Sequence, residues 1–211
     1  MNNLFKSLWN IEKSLRVLKL FSIFIFSSLS MQGKEKINTN DTHPHGVTLS
    51  VSTNILNYIN FATINAEIGL SFHKNIAITL SGKYNPFVYN KHTPEQVQNK
   101  RIAAALGVRY WPWFENSGWF LSSKLQGEVF NTGGYFLGKS ATEGTRIGVG
   151  MGAGYAIMLS AHFNLEVGFG FWMGYENFTK YACPSCGKCL DEGRKMFILP
   201  NDLLLNFVYI F

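Results

Sequence analysis

From Val47 onward the chain alternates apolar and polar or small residues with a period of two, the signature of strands with two different faces. Between Asn164 and Glu176 one face carries Leu165, Val167, Phe169, Phe171, Met173 and Tyr175. The other carries Glu166, Gly168, Gly170, Trp172, Gly174 and Glu176. The segment before it repeats the pattern, with Ile147, Val149, Met151, Ala153, Tyr155, Ile157 and Leu159 opposite Arg146, Gly148, Gly150, Gly152 and Gly154. Both runs exceed the usual soluble strand and are long enough to cross a bilayer at a tilt. A tight turn around Ala161–Phe163 joins them, and six more strands are predicted near 47–55, 62–72, 75–84, 101–111, 118–130 and 202–211.

Eight strands allow closure, and closure is what hydrocarbon demands, because an unpaired backbone group finds no water there. The pattern therefore predicts an all-β fold, an eight-stranded antiparallel up-and-down transmembrane β-barrel. Connections at 72–75, 112–118 and 160–164 are short, whereas those at 85–100, 131–144 and 177–201 are long. Short turns on the periplasmic side and long loops outside are the expected asymmetry, which the short first hairpin at 56–61 breaks. Aromatics gather at both ends. Trp111, Trp113, Phe114 and Trp119 lie at one, and Tyr84, Phe87, Tyr89, Tyr135, Phe136, Phe178 and Tyr181 at the other, as two interfacial girdles would.

The composition agrees with this reading. Charged and aromatic residues each make up 15% of the 211 residues and there are 20 glycines, which is unlike an average soluble domain. Lys6, Lys13, Arg16 and Lys19 precede a short apolar run, Leu20 to Leu29, followed by Ser28-x-Ser30. That arrangement is a signal peptide over 1–30, too short for a good membrane helix. Residues 31–46 read as a flexible N-terminal segment and 47–211 as the outer-membrane barrel. The leader, with Glu12, holds about half of the formal +6 charge, so charge gives no argument for a nucleic-acid partner.

With apolar faces turned to lipid, Glu67, Lys83, Arg101, Arg109, Lys124, Gln126, Glu128, Arg146 and Glu166 face inward. Their signs are mixed, and an eight-stranded barrel is filled by its own side chains. The expectation is a polar network that fills the lumen, with glycines of the sixth and seventh predicted strands making room. Phe207, Tyr209 and the terminal Phe211 continue the alternation from Leu203 and Leu205 and resemble the recognition signal of the barrel-assembly machinery.

All three cysteines fall in one predicted loop as Cys183-x-x-Cys186-x-x-Cys189. The turn resembles a zinc or rubredoxin knuckle, with Asp191, His92 or a partner chain available to supply a fourth ligand; in an oxidising compartment a disulfide or free thiols are the alternative. Otherwise no cofactor is expected. His92 with Ser140 is the one outer pair that a lipid A acyltransferase or deacylase could use, and no catalytic residue is assigned. A soluble lipocalin-like binding barrel is the remaining alternative, although its outer faces should be polar.

The segments T-N-I-L at 53–56, A-T-I-N-A-E-I-G-L at 62–70, R-Y-W at 109–111, G-V-G-M-G-A-G-Y at 148–155, N-L-E-V-G-F-G at 164–170 and the closing L-P-N-D-L-L-L-N-F-V-Y-I-F resemble the Bacteroidetes family DUF3575 over roughly residues 47–211. The resemblance implies an outer-membrane barrel and transfers no catalytic residue. The chain departs from the family pattern at Ile64–Asn65, where members of the family usually have a proline before the asparagine. Expected partners are outer-membrane lipid, the assembly machinery and an envelope or external protein at the outer loops.

Overall fold

The computed structural model describes residues 46–91, 96–134, 140–184 and 187–211, and the predicted signal peptide and residues 31–45 of the predicted lead-in lie outside the described residues. Nine strands follow in order: β1 Thr48–Asn54, β2 Ile64–His73, β3 Ile76–Asn85, β4 Val88–Tyr89, β5 Val97–Tyr110, β6 Gly118–Gly133, β7 Ala141–Met158, β8 Phe163–Tyr181 and β9 Cys189–Ile210. One short helix, α1 (Ile55–Ile59), joins β1 to β2.

Neighbours in sequence pair antiparallel, β3 pairs with β5, and β1 pairs with β9, which closes eight strands into a barrel. β4 is a two-residue addition at the edge of β5. Starting at Val51, the cross-strand partners run through Ile68, Leu80, Leu106, Leu125, Val149 and Met173 to Ile198. Ile198 lies eleven residues before Tyr209, the residue on β9 that pairs with Val51. This stagger tilts the strands against the barrel axis.

The alternation read from the sequence sorts the side chains as expected. Leu70, Ile78, Leu80, Leu106, Leu121, Leu125, Val149, Met151, Phe169, Phe171 and Met173 are exposed on the outer surface, while Arg109, Gln126, Glu128 and Glu166 are buried. Glycines on the inner face of β7 make room for large neighbours. A Cβ at Gly154 would stand 2.5 Å from Cζ of Phe120, and one at Gly150 would stand 3.0 Å from Cγ of Lys124.

Three expectations are corrected. The final strand begins at Cys189 instead of 202, and β8 runs to Tyr181, so most of 177–201 is a long hairpin and only 182–188 connects it. Similarly, the β6–β7 connection shrinks to 134–140 and β5 starts at Val97. The charges of DEGRK and Pro200 hid the strand, whose backbone simply continues the ladder to β8, with a bulge opposite Gly170–Phe171. Finally, Trp111 is 1% exposed and packs inside with Ala77, Phe120 and Ala156, so it is no member of an outer girdle. Tyr135 and Phe136 lie outside the described residues.

The first connection is also tighter than a plain hairpin. Asn54 caps α1 by accepting from Leu56 N at 3.0 Å, and Asn65 clasps Asn54 from β2, accepting from its N at 2.7 Å and donating to its O at 3.0 Å. The return passes through Phe61 and Ala62, both at φ 54°. At the other end, His162 Nδ1 lies 2.9 Å from Ile210 O and anchors the β7–β8 turn to the last strand.

Candidate functional site

The lumen is the candidate site, because the charged side chains converge there. Arg109 on β5 sits at its centre near the turn end. Its Nη1 donates to both oxygens of Glu166 on β8, at 2.8 and 2.9 Å, and its Nη2 pairs with Glu67 on β2. β5 is three strands from β8 and two from β2 in the ladder, so these pairs reach across the interior. Asn206 Nδ2 donates to Glu166 at 3.0 Å, and the guanidinium lies 5.0 Å from the Phe120 ring centroid. A cation between two carboxylates, with hydrogen bonds on its neighbours, is how buried charge is tolerated.

Nearer the loop end a second set of charges alternates in sign across neighbouring strands: Arg101 on β5, Glu128 on β6, Arg146 on β7, Glu176 on β8 and Lys195 on β9. Glu128, Arg146, Glu176 and Lys195 are successive cross-strand partners. Arg146 pairs with Glu176, Lys195 Nζ stands 3.1 Å from Glu176, and Arg101 stands 3.8 Å from Glu128. The Arg146 guanidinium also stacks 3.7 Å from the Phe130 centroid, while Trp172 meets Phe197 edge-on at 4.7 Å.

Lys83 and Lys124 lie between these two levels and line a small cavity together with Asn57, Glu67, Leu204 and Asn206. A second small cavity adjoins Lys124 and Arg109.

The structure thus brings Glu67, Arg109 and Glu166 into one cluster, sets Glu128 and Arg146 in the other and puts Lys83 and Lys124 between. Glu176 and Lys195 were missing from the expected network. Lys195 lay in a segment read as a loop, and Glu176 at the last position of a strand read as ending there; only the alternation Lys195, Phe197, Leu199 could have revealed the continuation.

The cysteines are not one loop. Cys189 opens β9 opposite Tyr181 and carries a free, exposed thiol, Cys183 is disulfide-bonded, and Cys186 lies outside the described residues. Among the described residues no group of three or more His, Cys, Asp or Glu side chains is placed to hold a metal. His92 lies outside the described residues, so the His92–Ser140 pair has no geometry here. Phe207 and Phe211 are exposed on the outer surface and Tyr209 is half-buried, packed edge-on against Phe211 at 4.8 Å.

A further polar chain lies beyond the apolar surface at the loop end. Gln96 donates to Gln98 at 2.9 Å, Gln98 to Asn131 at 2.5 Å and Asn131 to Glu143 at 3.0 Å. Tyr181 completes it by donating to Glu143 at 2.8 Å, and this bond, with burial and the carboxylate charge, pushes the phenol up to about 12.

A ring of eight strands closed by the β1–β9 pairing, an apolar exterior and an ion-paired interior define a small antiparallel β-barrel. A family model described as protein of unknown function (DUF3575) matches residues 20–211, and the chain belongs to that family. Among curated proteins and among solved structures, none matches it.

Proposed function

We propose that the protein is an outer-membrane barrel with a filled polar lumen, a structural or surface-interaction component that acts through its loop end. The observation that carries this reading is the inside-out distribution of side chains. Every wall strand from β2 round to β9 has large apolar residues exposed on the outer surface, while Arg109, Glu128 and Glu166 are at most 7% exposed inside. A water-soluble barrel would bury the first set and expose the second.

The dimensions support it. On β7 the exposed apolar positions run from Ile147 to Ile157, ten steps of about 3.4 Å, and a tilt of about 40° brings that to about 26 Å of height. Such a belt matches the apolar band of about 25 Å expected of an outer-membrane barrel. In this reading the turns lie on the periplasmic side and the β8–β9 hairpin outside, after export by the signal peptide and insertion by the barrel-assembly machinery through Phe207, Tyr209 and Phe211. Arg109 and its partners obstruct the lumen, so the barrel does not conduct ions.

The test is surface labelling of intact cells with a tag inserted in 182–188, with conductance measured in planar bilayers. Labelling without permeabilisation and no discrete current steps are expected. A tag reached only after permeabilisation, or stable current steps, would overturn the reading.

A further inference from the structure

Among the described residues the wall is incomplete on one side. β9 pairs with β8 from Cys189 to Tyr209, but β1 covers its other edge only at Asn206–Ile210. Above that, Asn54 Nδ2 donates to Leu203 O at 2.9 Å. Among the described residues no strand pairs with the remaining edge, from Cys189 to Leu203.

Part of this edge stands at the height of the apolar belt. Ile198 is the partner of Met173, Pro200 of Phe171 and Leu203 of Phe169, and all three β8 residues are exposed on the outer surface. Hydrocarbon does not tolerate an open edge with unpaired N–H and C=O groups unless protein, water or a polar group meets it. Pro200 removes one donor, but the rest of the edge has no strand partner among the described residues.

What lies behind the gap has a definite chemistry. The cavity lined by Lys83 and Lys124 has Leu204 and Asn206 of β9 on one side and Asn54 and Asn57 at the α1 end on the other. The buried Nδ2 of Asn57 has no hydrogen-bond partner among the described residues. Glu67 lies on the same wall but is paired with Arg109, so two ammonium groups and the unused Asn57 amide donor still outweigh it and suit an anion with several oxygens. The lips, by contrast, are apolar: Met196, Ile198 and Leu203 are 65–69% exposed on β9, and Ile59 is 78% exposed on α1.

We propose that this gap is a lateral port that seats one anionic phospholipid from the surrounding bilayer. Its phosphate occupies the cavity at Asn57, Lys83 and Lys124, and its acyl chains lie along Met196, Ile198 and Leu203. The proposal rests on the membrane reading above. A second copy of the chain is the poorer occupant. Two copies in one membrane, related by a two-fold axis along its normal, bring their β9 edges together running in the same sense, so isologous antiparallel pairing is not available.

The test is native mass spectrometry of the full chain extracted in detergent, titrated with phosphatidylglycerol or with phosphatidylcholine of the same acyl chains. One phosphatidylglycerol should bind at least tenfold more tightly than phosphatidylcholine. The Lys83→Gln/Lys124→Gln double variant should lose that preference, and Lys188→Gln, at the exposed tip, should keep it. Asn57→Asp, which adds a negative charge to the cavity, should lose it too and serves if the double variant does not fold. Equal retention of the two lipids, displacement by free glycerol phosphate at equal concentration, or a lipid-independent dimer would overturn the port. A chain that stays soluble without detergent would instead sink the membrane reading itself.

Discussion

Arg109 is the side chain on which the interior depends most, and replacing it tests whether the lumen is held by ion pairing. Its side chain is 9% exposed, Glu166 is 1% exposed and Glu67 22%. Arg109→Met removes both hydrogen bonds to Glu166 and the pair to Glu67, and leaves two carboxylates facing one cavity without their shared cation. Breaking a buried pair from one side costs about 3–5 kcal/mol, most of it from the uncompensated charge left behind. Glu166→Gln leaves Arg109 paired with Glu67, so it should cost less, about 1–3 kcal/mol. The double variant has no orphaned charge at position 166 and should fall short of the summed single losses by at least about 2 kcal/mol. Urea unfolding in micelles, followed by tryptophan fluorescence and by the gel shift of the folded barrel, gives the three differences. Arg194→Met, on the exposed stretch of β9, should stay within about 0.5 kcal/mol as a control. An Arg109→Met loss below about 1 kcal/mol, or single losses that add, would refute the reasoning.

Further outcomes follow from the packing and the loop end. Gly154→Val places a Cβ 2.5 Å from Phe120 Cζ and 2.8 Å from Val167 O, and should destabilise by about 1–3 kcal/mol, with partial rescue by Phe120→Leu in the same unfolding assay. Ala62→Gly removes a side chain from φ 54° and should raise stability by about 1 kcal/mol; no change in the unfolding midpoint would remove the claim of strain. Tyr181 is held neutral by Glu143, and its folded pKa of about 12 lies above the ordinary 10. Its contribution to stability is therefore present in full below pH 10 and is lost as the pH rises through about 12. In an alkaline ultraviolet titration, Tyr181→Phe should delete one tyrosine ionisation near pH 12; an unchanged titration there would remove the assignment.

How far the sequence could be read depended on how each strand makes its pattern. β7 and β8 were legible because each alternates aromatic or aliphatic residues with glycine over more than twelve positions, and closure into eight strands followed from counting such segments. Arg109, Glu67 and Glu166 were placed inside by parity alone, but nothing local says that an arginine on β5 meets carboxylates on β2 and β8. That pairing depends on the stagger of the barrel. The upper half of β9 was missed because both its faces are exposed between Cys189 and Met196, so burial leaves no alternation there. Its strand character comes from the β8 ladder, a non-local cause. Trp111 was assigned to a girdle on the strength of Trp113 and Phe114 nearby, whereas parity with Arg109 turns it inward. The α1 cap at Asn54 needed Asn65, eleven residues on, to clasp it.

The most direct measurement is fractionation of cells expressing the full chain, followed by electrophoresis of the outer-membrane fraction with and without boiling. A band that requires detergent for extraction and changes mobility only on boiling is the predicted result, since a closed barrel with an ion-paired interior resists the detergent until heated. Recovery in a soluble periplasmic fraction, with the same mobility before and after boiling, would contradict the membrane barrel and favour a soluble one.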